Sequence, residues 1–154
     1  MDSGRQGKVG ASFMDVVDAS VAVKWVLPGE PYEENALRVK KNHILGIAHA
    51  YAPSFMVLEV GNSLWKAIKQ KRITQEDAHE ALRTLDDLQI SLYELNWSEV
   101  SNLLTIASKA DLTIYDASYL FLSEKIQAQV ITADDKMYQK AKDNFRVLHL
   151  KDYV

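Results

Sequence analysis

The stretch FMDVVDASVAVKWVL, Phe13 to Leu27, changes period in its middle. Its first part, FMDVVDAS, reads as a short buried strand ending at Asp18, because Val16 and Val17 are β-branched and nothing there has the length of a helix. From Ser20 the run SVAVKWVL reads as a helix that stops at Pro28 and Gly29. A strand that hands the chain directly to a helix is half of a parallel β-α-β unit, so the question is whether the pattern recurs.

It recurs through the chain. Pro31 opens a second helix through about His43, paired with the first, and AHAYAP supplies a weaker strand around His49 to Ala52, ending at Pro53. Ser54 caps a long helix that continues to Arg72; Thr74 and Asp77 have the spacing of a capping box for the next, which runs to about Leu88. ISLYEL is a strand, Ser98 caps a helix to about Lys109, and Thr113 caps the helix that carries Asp116. The strand AQVITA, a helix from Asp134 to about Asp143 and the strand FRVLHL complete the series. Short apolar strands alternating with helices call for an α/β fold in which a parallel sheet is covered by helices on both faces through right-handed crossovers. Ligands of such folds gather beyond the carboxyl ends of the strands, so residues at strand ends and helix starts carry the interest.

Composition bounds the rest. The chain has 154 residues, 47% of them hydrophobic, which suits one domain with one core. That domain is expected over residues 14–154; the polar, Gly- and Ser-containing segment MDSGRQGKVGASF, residues 1–13, reads as a disordered tail or an appended remnant and not as a secretory signal. No run approaches the ~18 apolar residues of a membrane span, and with no cysteine an intracellular, cytoplasmic protein is expected. The absence of cysteine also removes thiolate chemistry and leaves oxygen or histidine as metal donors. His43, His49, His79 and His149 lack a paired ligand spacing and read as surface or satisfied core. A net charge of −3 argues against a binder that relies on a broad basic surface, but not against an enzyme acting on nucleic acid. No glycine-rich nucleotide loop and no serine elbow is present.

Four of the acidic residues stand out. Asp116 lies in TIYDASYLFL, a helix with no wide solvent face, where a carboxylate needs a partner, a proton or a cation. Its ordinary reading is complementation of the helix dipole three residues after the cap. Asp18 ends the first strand, and its ordinary reading is an N-cap. Glu59, in SFMVLEVGNSLW, shares a stripe with Asn62, Ser63 and Lys66 that any amphipathic helix could carry. Asp134 follows QVIT at a second strand end; Asp135 beside it fits a capping box with Thr132 and is assigned to capping, although either aspartate could reach a site there. What the four ordinary readings leave unexplained is that all four positions converge in an α/β sheet. Carboxylates gathered in one place raise one another's pKa unless a cation neutralises them, and oxygen donors select hard ions such as Mg²⁺ or Mn²⁺. The chemistry this suits is phosphodiester hydrolysis. In KAIKQKR, Lys66, Lys69, Lys71 and Arg72 could contact RNA phosphates or simply complement a helix C-terminus.

Together, VVDASVAVKW with Asp18, APSFMVLEVGNSLWKA with Glu59, LTIYDASYLFLSE with Asp116 and VITADDKMY with Asp134 resemble the PIN-domain family, and within it the VapC-type toxins of toxin–antitoxin pairs, from Met14 to about Leu150. The resemblance implies a three-layer α/β/α sandwich around a parallel sheet of about four to five strands. It implies a Mg²⁺- or Mn²⁺-dependent endoribonuclease with Asp18, Glu59, Asp116 and Asp134 as acids and Ser20 and Thr132 in support. A cognate antitoxin, an RNA substrate and a homodimer are the partners it implies. An antitoxin could plug the acidic pocket with an Arg or Lys and grip Val23, Trp25, Val26 and Leu27, whereas core burial would withdraw those four from any partner. The rival readings are a receiver-like phosphoacceptor domain, for which Lys136 lies too far into its helix, and a non-catalytic module whose acidic pocket receives a basic partner side chain.

Overall fold

The computed structural model describes residues 13–154; the segment read as a tail lies outside them, except that Phe13 already opens the first strand. Five parallel strands, β1 (Phe13–Val17), β2 (Ala48–Pro53), β3 (Ser91–Tyr93), β4 (Gln129–Thr132) and β5 (Val147–His149), form one sheet in the order β3-β2-β1-β4-β5. Among the described residues seven helices flank it: α1 (Ala19–Ala22), α2 (Glu33–Ile44), α3 (Met56–Lys69), α4 (Gln75–Asp87), α5 (Trp97–Ala110), α6 (Ile114–Ile126) and α7 (Asp135–Ala141). None of the described helices is long and apolar enough to cross a membrane.

β1 occupies the middle because it is the strand buried from every side, with Val16 and Val17 fully enclosed. It pairs with β2 through Val16 and Tyr51 and with β4 through Val17 and Ile131. The chain builds outward from β1 to β2 and β3, then returns to place β4 and β5 on the other side. Right-handed crossovers send α2 to α4 to one face and α5 to α7 to the other, and the direction of winding reverses between β1 and β4. In open α/β sheets that reversal leaves a crevice at the carboxyl ends of the two strands. A receiver-like domain has the order β2-β1-β3-β4-β5 instead, so this topology is not that of the phosphoacceptor rival.

The apolar character of α6 has a direct cause. It lies across β1, β2 and β4 and is covered on its outer side by α5. Ala117, Tyr119, Leu120 and Leu122 are buried around nearly its whole circumference.

Several helix starts differ from expectation. α1 is a single turn that tightens into a 3₁₀ turn at Val23–Trp25, and Val23, Trp25 and Leu27 are buried, with Val26 packed against the core, so this segment offers a partner no apolar grip. The indole of Trp25 donates to the Ala36 carbonyl at 2.7 Å. α2 starts at Glu33, not Pro31, after Tyr32 in the left-handed region at φ 60°. α3 is entered through Phe55 with no side-chain cap, so Ser54 does not cap it. At α5 the cap is Asn96, not Ser98, because a capping box needs a carboxylate three residues on: Asn96 has Glu99, whereas Ser98 has Ser101. The Thr74–Asp77 box and the Thr113 cap are formed as expected. His43 and His149 are satisfied core residues, His43 accepting the Ala50 N–H at 3.0 Å.

Replacing Asn96 by Ala is expected to cost about 1 kcal/mol, while Ser98→Ala stays within about 0.5 kcal/mol of the parent. Chemical denaturation of the two variants side by side measures the difference.

Candidate active site

Asp18 follows β1 directly and stands at the N-cap position of α1, yet its carboxylate makes no capping bond. It turns instead across the crevice, where its Oδ2 accepts the hydroxyls of both Ser20 and Thr132 at 2.8 Å. Those hydroxyls are themselves held: the Ala133 N–H donates to Ser20 Oγ at 2.9 Å and the Asp134 N–H to Thr132 Oγ1 at 3.0 Å. The end of β4 and the start of α1 are thereby tied through one carboxylate oxygen. Neither hydroxyl engages Oδ1. Burial, and to a lesser degree the charges of Glu59 and Asp116, push the Asp18 carboxyl up to about 6 against the two hydroxyl bonds that favour its ionised form.

Glu59 comes from the first turn of α3, partly buried, and accepts the Tyr119 hydroxyl at Oε1 at 2.6 Å. Its carboxyl is raised by burial and by Asp116, while the Tyr119 bond lowers it. Asp116 occupies the first turn of α6, and its own N–H donates to Thr113 Oγ1 at 3.1 Å. It does complement a helix dipole, but burial and the charge of Asp134 raise its carboxyl, with Thr113, Lys136 and Lys140 pulling the other way. Asp134 is exposed at the mouth and accepts the Met137 N–H at 3.1 Å. The four acids thus form one electrostatic series from Glu59 and Asp18 through Asp116 to Asp134.

The division of labour within the aspartate pair differs from expectation. Asp134 caps α7 and also faces Asp116, because Thr132, the expected cap, has its hydroxyl committed to Asp18. Asp135 does not complete a capping box; it accepts from His149 Nε2 at 2.7 Å. The Lys151 N–H bonds to His149 Nδ1 at 3.1 Å, which fixes the tautomer with the proton on Nε2. Tyr32 and Tyr138 enclose that imidazole edge-on at 5.6 Å each.

Sequence reasoning also left out Tyr119. The available signal was a phenol three residues after Asp116 on a helix with no solvent face, since a buried Tyr hydroxyl ordinarily has a partner. The basic residues lie apart from the acids. Lys66, Lys69 and Arg72 sit roughly 10 to 20 Å along α3 and its extension from Glu59. Arg72 is engaged by Glu30 at 3.0 Å, and Lys69 lies over the Trp65 ring at 5.3 Å.

The donors available to a metal are carboxylate and hydroxyl oxygens, the set a hard divalent ion takes. Among the described residues no three acids or histidines are gathered closely enough to enclose an ion by themselves. Such a set fits an ion that is held by few carboxylates and keeps much of its water, as Mg²⁺ does.

The α/β/α sandwich around this parallel sheet is the architecture of a PIN fold. The PIN domain model matches residues 16–143, and the chain belongs to that family. It is 31% identical over 129 residues to Ribonuclease VapC3 of Pyrobaculum aerophilum, covering 81% of this chain and 92% of that protein. Exonuclease VapC9 of the same organism is 30% identical over 104 residues, covering 68% and 72%. The crystal structure of PAE2754 from Pyrobaculum aerophilum shares the fold with a TM-score of 0.64 at 22% identity, over 92% of this chain and 93% of that one. FitAcB from Neisseria gonorrhoeae does so with a TM-score of 0.62 at 13% identity, over 90% and 99%.

The Asp18 carboxyl gives a stability effect with a definite sign. Its folded-state value of about 6 lies above the ordinary 3.8, so its contribution is fully present below about pH 4 and is lost as pH rises through 6, a change of about 3 kcal/mol. Asp18→Asn removes this titration. In EDTA, the stability of Asp18→Asn relative to the parent is expected to rise by up to about 3 kcal/mol between about pH 4 and pH 7, as urea denaturation at the two pH values measures.

Proposed function

We propose that this chain is a divalent-metal-dependent endoribonuclease that acts in the cytoplasm as the toxin of a toxin–antitoxin pair. The observation that carries the reading is the enclosed Asp18 carboxylate at the β1/β4 reversal, crowded by the charges of Glu59 and Asp116. Family membership and relatives named as a ribonuclease and an exonuclease support it.

Asp18, Glu59, Asp116 and Asp134 would share Mg²⁺ or Mn²⁺, some of them through its waters, and the ion when bound would lower the pKa of a water and offset charge on a phosphate. The chain's own groups divide the remaining work. Ser20 and Thr132 keep the Asp18 carboxylate in a single orientation by bonding one of its oxygens. Glu59 has Oε1 occupied by Tyr119, which leaves Oε2 as the oxygen it would offer to the ion or to a water held on it. Asp134, at the exposed end of the series, is the acid an incoming phosphodiester meets first. Lys66 and Lys69, exposed on the same helix as Glu59, would track the RNA backbone away from the cut, with Arg72 held back by Glu30.

An antitoxin in this reading places an Arg or Lys among the four acids, where it replaces the charge that a metal would supply. Its apolar contacts would fall on Val57 and Leu58, the two exposed residues just before Glu59 in sequence, since Val23, Trp25 and Leu27 are enclosed. A homodimer of the toxin belongs to the same proposal.

The test is cleavage of defined RNAs by protein purified free of any partner, with Mg²⁺, Mn²⁺ or EDTA. Activity is expected with either ion and none in EDTA. Asp116→Asn should lower the rate by more than about a hundredfold while the fold is kept. Asp134→Asn is the cleaner charge test, because Asn caps a helix about as well as Asp and only the charge is lost. It should raise the metal requirement without lowering stability by more than about 0.5 kcal/mol. A folded parent that cleaves no RNA with either ion would instead favour a non-catalytic acidic pocket.

A further inference from the structure

Tyr119 is the largest fully enclosed side chain among the described residues. It lies on α6 one turn beyond Asp116, and its ring reaches to where three segments meet. The hydroxyl donates to Glu59 Oε1 on α3 at 2.6 Å, and the backbone N–H of Ala19, the residue after Asp18, meets the phenolic oxygen. Phe55, which leads into α3, packs edge-on against the Tyr119 ring at 5.7 Å. Packing alone does not call for that hydroxyl. A phenylalanine would fill the same space without bringing a polar atom into the core, and an unpartnered buried hydroxyl costs free energy.

The acids explain what the hydroxyl is for. Glu59 has a long, partly exposed side chain facing the charges of Asp18 and Asp116, and repulsion favours rotamers that carry its carboxylate out to water. The geometry points to Tyr119 as a positioning residue whose hydroxyl holds the Glu59 carboxylate inside the acidic series, so that the site presents Glu59 together with Asp18 to a divalent cation. The phenol is rigid, and its other contact is the backbone beside Asp18, so it sets the spacing between two acids that belong to different elements. This role rests on reading the site as a divalent-metal centre.

Three proteins test it: Tyr119→Phe, Glu59→Gln and the double variant, each compared with the parent. In metal-free protein the Glu59 carboxyl carbon, identified by its loss in Glu59→Gln, is followed by ¹³C NMR alongside the thermal midpoint. Mn²⁺ binding is then titrated without RNA, with free Mn²⁺ read by electron paramagnetic resonance. In Tyr119→Phe the Glu59 signal is expected to move to the position of a solvated carboxylate. Half-saturation should need about tenfold more Mn²⁺. The midpoint should fall by no more than about 5 °C. The double variant should bind Mn²⁺ no more weakly than Glu59→Gln, because once the Glu59 carboxylate is gone the phenol has nothing left to position.

An unmoved Glu59 signal, Mn²⁺ binding within twofold of the parent, or losses that add in the double variant would each overturn the role. Should Tyr119→Phe fail to fold, Glu59→Asp takes its place: its carboxylate is one methylene too short to reach the phenol, and Mn²⁺ binding must weaken similarly or the role is wrong. A parent that binds no Mn²⁺ defeats the metal reading separately. The positioning of Glu59 is then decided by the metal-free carboxyl signal alone.

Discussion

The bonds from Ser20 and Thr132 to one oxygen of Asp18 hold the centre of the molecule together. The Thr132 bond joins the end of the central strand to the end of β4, two strands adjacent in space and separated by most of the chain in sequence, and Ser20, bonded to the same oxygen, is tied to that end of β4 by the Ala133 N–H. At the same point the sheet changes its direction of winding, so the crevice that topology opens there is closed at its base by these hydroxyls. An ionised carboxylate in that position is unfavourable by itself, as the upward shift of Asp18 records. The fold therefore spends some stability to keep a charge where a ligand can reach it, a compromise common at functional sites.

The layers of the fold were legible in the sequence because they depend on period and length. The change from strand to helix after Asp18, and its recurrence, required only the positions of Val16, Val17, Pro28 and their counterparts. The positions of the four acids were legible for a related reason: each lies at a strand end or in the first turn of a helix, which topology alone brings to one edge. Choices between neighbouring polar residues were not legible. Asn96 and Ser98, or Thr132 and Asp134, offer similar capping groups, and the outcome depends on what else each can bond. Thr132 is withdrawn from capping by Asp18, across a separation that no local pattern contains. The Tyr119–Glu59 and His149–Asp135 bonds were hidden in the same way, since both are products of tertiary approach.

α6 shows how one helix serves two demands. Its apolar circumference is what lets it lie between the sheet and α5, and the same burial raises Asp116 and encloses Tyr119. Packing and electrostatics are coupled there: a change that loosened α6 would also admit water to the acids and weaken the interactions that depend on a dry surrounding.

The two outermost strands, β3 and β5, are three residues each. So short an edge leaves few unpaired backbone groups, which protects the sheet from edge-to-edge aggregation. It also restricts how another polypeptide can join this protein. Strand addition draws its affinity from a row of main-chain bonds along an open edge, and neither side of this sheet has the length to supply one. Among the described residues the helical surfaces are the better suited to a protein partner, and recognition there depends on side chains and can differ between relatives that share the same sheet.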